Sequence, residues 1–205
     1  MTEPDARIVS ALRQQLAARR RLLDAGATRV GWKVALGMEE VGNRPVMGYL
    51  TSATLLSRGA AHSAAGAARL CVDAELAVEI GRDGAIAGYA AALELVDLGQ
   101  GRGSLESVIR ANVLHRAFVL GPSHQEPSRN ARVHVNDELQ AEASAELDLE
   151  ERAAVVDYWL SALGERLEPG DRIITGSIVQ VPLAPGDQVT VEIGELGRLE
   201  ASILE

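Results

Sequence analysis

The sequence predicts an α+β fold in which twisted mixed β-sheets curl around a site and a few helices cover them. Three observations predict it. Strict apolar/polar alternation, the mark of half-buried strands, marks residues 30–37 and 70–80, and strand-like runs recur at 89–97 and through the C-terminal end. Helical spacing of apolar residues is confined to three segments, near 5–25, 104–114 and 149–163. Gly, Pro, Asn and Asp clusters punctuate the strands between them.

Composition narrows the function classes. With 205 residues the chain is long enough to bury a full core, and with aromatics at only 3% that core must be built from Leu, Val, Ile and Ala. A net charge of −9 and no basic stripe argue against a nucleic-acid or anionic-membrane partner. The single cysteine, Cys71, leaves no internal disulfide framework. No run approaches membrane-spanning length and no apolar signal core opens the chain, so a cytoplasmic protein is expected.

The N-terminal segment, 5–25, carries Ile8, Leu12, Leu16 and Leu23 at helical spacing, and Gly26 stands at the C-cap position. Arg19, Arg20 and Arg21 in its last turn suit the helix dipole and are read as a charged face. In the next strand Val30, Trp32, Val34 and Leu36 share one face, and Gly31, Lys33, Ala35 and Gly37 the other. A lysine among Gly and Ala has empty space beside it, which either a ligand fills or solvent does. Residues 42–56 read as an irregular connection, and 59–68 as an Ala-rich one with His62 exposed.

Leu70 to Ile80 places Asp73 and Glu75 on one strand face, roughly 6.5–7 Å apart. Two carboxylates so placed either converge on a divalent cation or belong to a solvated edge, because like charges buried together drive each other's protonation. Glu94 is embedded in the apolar run of 89–97 and needs a cation, an arginine or a hydrogen-bond cluster. Ser104 caps a helix expected to reach about Leu114, and Phe118 begins a short strand. A hairpin turns at Asn136-Asp137, with His134 on its polar face. Asp148 caps a helix over 149–163 whose core side is Val155, Val156, Trp159, Leu160 and Leu163. Two Pro-Gly-Asp turns, ending at Asp171 and Asp187, launch C-terminal strands and share turn chemistry without making a repeat.

Several of these stretches carry a family resemblance: Gly31-Trp-Lys-Val-Ala-Leu-Gly37, the acidic pair and apolar strand of residues 72–83, Ala92-Leu-Glu-Leu-Val-Asp97, Asn112, and Trp159 through Ser177. In this order, from about residue 28 to the C-terminus, they are similar to the fumarylacetoacetate hydrolase superfamily, above all its 2-keto-4-pentenoate hydratase and oxalocrotonate decarboxylase branch. The resemblance implies a roll or barrel-like core in one catalytic domain, 28–205, preceded by an N-terminal helix, 1–27. It implies that Asp73, Glu75 and Glu94 bind one Mg²⁺ or Mn²⁺, and an all-oxygen ligand set suits such a hard cation. The substrate implied is a small 2-oxo acid that chelates the metal and reacts through a metal-stabilised enolate, as in a hydratase or decarboxylase. Lys33 would be the general acid/base or carboxylate anchor, with Ser177, Asn112 and Trp32 lining the pocket, and the chain would assemble as a homo-oligomer. The alternatives are an acylpyruvate-type C–C hydrolase and a non-catalytic subunit that keeps the fold.

Four departures from the family pattern bear on substrate. Asp73 stands where the branch has Glu, residues 146–151 replace a glycine-histidine-proline, Leu98-Gly99 replaces an arginine after Asp97, and Ala111 replaces an aspartate. The missing arginine predicts a compact monocarboxylate packed against Trp32, Val46 or Met47, unless Arg44 or Arg102 supplies the charge.

Overall fold

A computed structural model describes residues 5–35, 45–101 and 103–205. Its elements in order are α1 (Ala6–Asp24), β1 (Arg29–Ala35), β2 (Val46–Thr51), β3 (Ala61–Ser63), β4 (Leu70–Ile80), β5 (Ile86–Asp97), α2 (Leu105–Arg110), β6 (His115–Leu120), β7 (Asn130–Val135), β8 (Glu138–Ser144), α3 (Leu149–Ala162), β9 (Arg172–Ile174), β10 (Val179–Pro182), β11 (Gln188–Ile193) and β12 (Arg198–Leu204). The expectations that fall on Leu36, Gly37, Arg44 and Arg102 lie outside the described residues.

The strands form two mixed sheets. The larger runs β2-β1-β9-β4-β5-β6 and curls into a half-barrel; β10 pairs with β4 alongside β9, so two short strands share one edge of the longer one. The smaller runs β3-β12-β11-β7-β8. Among the described strands, β1–β9 and β12–β3 pair in parallel and the other pairs are antiparallel. One face of β4 and β5, with Val72, Ala74, Leu76, Leu93 and Leu95, joins Val133, Val189, Val191, Leu199, Ala201 and Ile203 of the smaller sheet in one buried core. The opposite face of the half-barrel carries a separate small cluster of Leu50, Ala77, Ala90, Ala92, Phe118 and Ile174. Period-two alternation is therefore what gives the large sheet two distinct interiors.

Several local expectations need correction. Residues 46–51, read as an irregular connection, form β2, in which Gly48 is a strand residue facing Lys33. The helix from Ser104 ends at Arg110, and Asn112, Val113 and Leu114 follow with φ of +54°, +53° and +64°. Three successive non-glycine residues in the left-handed region are costly, most of all at β-branched Val113, and such strain concentrates at functional sites. Gly31, at φ +151°, is a glycine by necessity: a Cβ there would run into the backbone of Arg172, where β9 lies against β1. The hairpin does turn at Asn136-Asp137, with φ of +53° and +65°, as a two-residue loop with both central residues left-handed requires. Among the described residues no helix is long and apolar enough to cross a membrane.

Candidate metal centre

Register assembles the centre. Asp73 of β4 lies directly opposite Glu94 of β5, and Glu75, two residues on, points the same way. One carboxylate oxygen from each lies within 4.8 Å of the others, and all three residues are buried. Lys33 reaches them from β1, two strands away across β9, on the same concave face. Its stem passes Gly48, where a Cβ would stand 2.8 Å from Lys33 Cγ, so the glycine is what makes room for it.

Each carboxylate has a different environment. Glu94 Oε1 accepts from Lys33 Nζ at 2.5 Å and from His115 Nδ1 at 2.6 Å, while its Oε2 is buried without a partner. Burial alone would raise the Glu94 pKa, but the Lys33 charge and the His115 bond outweigh it and hold the carboxyl below its ordinary value. Glu75 Oε2 accepts from the Gly176 amide at 2.7 Å, and burial, then the charges of Glu94 and Asp73, push its pKa well up. Asp73 Oδ1 accepts from Gln180 at 2.7 Å, and Ser177 hydrogen-bonds it as well. Burial and Glu94 still raise Asp73 to about 6.

Among the described residues three buried carboxylates face one buried lysine, and Glu94 Oε2 in particular has no donor. A hard divalent cation meets both deficits, since an all-oxygen donor set of this kind suits Mg²⁺ or Mn²⁺. The residues present fit such an ion.

Of the side chains expected at the site, Lys33, Asp73, Glu75, Glu94 and Ser177 come together. Asn112 lies beside them but is committed to β2, accepting from the Tyr49 amide at 2.8 Å and donating to the Tyr49 carbonyl at 2.9 Å. Trp32 is not brought to the cluster. It lies on the other face of β1, fully buried, with the Arg19 and Arg29 guanidinium carbons 4.7 and 5.3 Å from its ring centroid and its Nε1 donating to Asp171. Val46 and Met47 are likewise fully buried.

Sequence reading missed three participants. His115 backs Glu94, with its Nε2 2.9 Å from Thr54 Oγ1. Gln180 comes from β10, a strand that the Val-Gln-Val-Pro alternation at 179–182 would have revealed. Arg152, in the first turns of α3, donates to the Thr175 carbonyl at 2.9 Å, and a Cβ on Gly176 would lie 2.9 Å from its Nη1. Gly176 has φ +106°, so glycine both turns the chain and admits the guanidinium. Arg152 therefore lies within about 8 Å of the Glu75 carboxylate through ordinary bond lengths.

The raised values predict a pH dependence. Between about pH 4 and 6 the folded, metal-free chain keeps a proton on Asp73 that the unfolded chain has released, so this group's contribution to stability is lost as pH rises, on the order of 3 kcal/mol in total. Glu75 acts in the same direction. Melting curves in chelator from about pH 4.5 to 7.5 should show Asp73→Asn gaining on the wild type as pH rises. A constant difference across that range would contradict the shift.

A sequence profile described as Fumarylacetoacetate (FAA) hydrolase C-terminal matches residues 27–204. The chain belongs to the fumarylacetoacetate hydrolase family. No functionally curated protein matches it in sequence. Among solved structures, 4-oxalocrotonate decarboxylase from Pseudomonas putida, complexed with magnesium and adipate, is 22% identical with a TM-score of 0.84, covering 96% of this chain and 86% of that one. Fumarylpyruvate hydrolase from Pseudomonas aeruginosa, in complex with Mn²⁺ and pyruvate, is 16% identical with a TM-score of 0.63, covering 86% and 90%. The 2-hydroxyhepta-2,4-diene-1,7-dioate isomerase from Mycobacterium marinum is 21% identical with a TM-score of 0.64, covering 86% and 75%. Decarboxylation, hydrolysis and isomerisation thus occur on one fold, and fold alone does not select among them.

Proposed function

We propose that this fumarylacetoacetate hydrolase family chain is a divalent-metal-dependent lyase of a small 2-oxo acid, acting by hydration or decarboxylation. The observation that carries the reading is the buried trio of Asp73, Glu75 and Glu94 with Lys33 on one oxygen of Glu94 and nothing on the other. When bound, Mg²⁺ or Mn²⁺ would polarise the keto oxygen and stabilise the enolate that either reaction forms.

The protein's own part follows from its side chains. Asp73, Glu75 and Glu94 would hold the ion. Lys33, 4% exposed and bonded also to the Val113 carbonyl at 3.2 Å, would deliver a proton to substrate carbon or anchor the substrate carboxylate. The small apolar floor of Ala77, Ala90, Ala92, Phe118 and Ile174 would keep bulk water from the reacting atoms. Decarboxylation asks only that the electrons of the broken C–C bond enter the conjugated keto system and that one proton be returned. C–C hydrolysis also needs a base for the attacking water. Among the described residues the other titratable nitrogen at the cluster, His115, has both ring nitrogens engaged, which supports decarboxylation over C–C hydrolysis.

The test is a panel of 2-oxo acids, including oxaloacetate and 2-hydroxydienoates, incubated with and without Mg²⁺ and read by product analysis. Metal-dependent loss of CO₂ or addition of water supports the reading; turnover that survives full chelation overturns it. Leu98-Gly99 favours a compact monocarboxylate, and Arg152 is the guanidinium near Glu75 that would admit a second carboxylate instead. Arg152→Met should lower kcat/KM for a dicarboxylate by roughly tenfold or more relative to its matched monocarboxylate, about 1.4 kcal/mol. An unchanged ratio would remove Arg152 from substrate recognition.

A further inference from the structure

The His115 imidazole belongs neither to the ligand set nor to the proton chemistry, yet the fold goes out of its way to bring it to Glu94. The register of β5 with β6 runs Glu94–Phe118 and Leu95–Ala117, then skips to Val96–His115, so Arg116 is an extra residue. A bulge of this kind re-aims the side chain beyond it. Without it, strict alternation would turn His115 to the face opposite Glu94. With it, the His115 side chain is 2% exposed, bonded to Glu94 at one ring nitrogen and to Thr54 at the other. Phe118 packs against the ring at 5.6 Å between centroids.

We propose that His115 is a positioning residue that fixes Glu94 for its metal ion, occupying Oε1 so that Oε2 is the oxygen left to ligate. The inference rests on the metal-centre reading above and adds to it a residue that touches neither ion nor substrate. The Glu94 carboxylate accepts, so Nδ1–H donates to it, and Nε2 lies 2.9 Å from Thr54 Oγ1. Contacts at both ring nitrogens fix the plane of the ring. Lys33 alone would not do the same work. Its ammonium sits on a flexible four-carbon stem and is the group that must turn to substrate, whereas the imidazole stays with Oε1 when Lys33 leaves.

Mn²⁺ titrations followed by calorimetry test this without any turnover. His115→Leu should weaken Mn²⁺ binding by roughly 10–100-fold, the usual cost of removing the group that orients a ligand. His115→Asn, whose side-chain amide can place a donor near the Nδ1 position, should recover most of the loss. If His115 only fills space, leucine would bind as the wild type does and asparagine would not be the better variant; either result overturns the proposal. Should His115→Leu fail to fold, Thr54→Val removes only the group that orients the ring. It should weaken Mn²⁺ in the same direction by a smaller factor, and an unchanged affinity there also overturns the proposal. A wild-type chain that binds no Mn²⁺ would take the metal-centre reading down with it, whereas wild-type binding with unaffected variants would remove His115 alone.

Discussion

Glu75→Gln is expected to abolish tight Mn²⁺ binding and, in the same protein, to make the metal-free fold more stable. Glu75 is fully enclosed and shares its face with Asp73 and Glu94, so its charge is disfavoured by burial and by two like charges. Glutamine removes the charge while its side-chain oxygen can still accept from the Gly176 amide. Metal-free stability near neutral pH should rise by about 1–3 kcal/mol, and Mn²⁺ affinity should fall by at least two orders of magnitude or so. Glu94 must behave differently. Removing it strips the partner from buried Lys33 and from His115, so Glu94→Ala should lose both metal binding and stability. Opposite signs at two carboxylates of one cluster would be hard to produce by any general effect. A Glu75→Gln protein that binds Mn²⁺ like the wild type would sink the assignment.

Lys33→Met should cost most of the activity while sparing the metal. Loss of a positioned proton donor typically removes 10²–10⁴-fold in rate, and the loss should appear in kcat. Glu94 meanwhile loses the cation that holds its carboxyl down, and breaking a buried pair costs on the order of 3–5 kcal/mol. Metal-free Lys33→Met should therefore melt well below the wild type, and Mn²⁺ should restore more stability to it than to the wild type, because the ion takes over the neutralising role. Normal turnover in this variant would show that the glycine-lined face of β1 does no chemistry.

Much of the site was legible because it obeys a period of two. Alternation alone puts Asp73 and Glu75 on one face, and the same rule puts Lys33 with Gly31 and Ala35. Glu94 was legible from its apolar surroundings, since an embedded carboxylate demands a partner. His115 was hidden by a bulge that reverses the alternation of its strand. Gln180 and Arg152 come from distant segments through β-sheet edge sharing and a helix packed against the half-barrel, pairings no local pattern encodes. Trp32 shows the converse: next to Lys33 in sequence, it is opposite to it in the strand, and its indole went to a pair of arginines in the core. Strand β2 was obscured by Gly48, which looks like a turn residue and is instead the space that Lys33 needs.

One titration tests whether Asp73, Glu75 and Glu94 hold a metal ion that a 2-oxo acid joins. Mn²⁺ is added to the chelator-stripped wild-type chain by calorimetry, first alone and then in the presence of pyruvate as a minimal 2-oxo acid. One saturable site per chain is expected, tightening when pyruvate is present, with both effects lost in Glu75→Gln. The absence of saturable Mn²⁺ binding, or Mn²⁺ binding that pyruvate and Glu75→Gln leave unchanged, would contradict it.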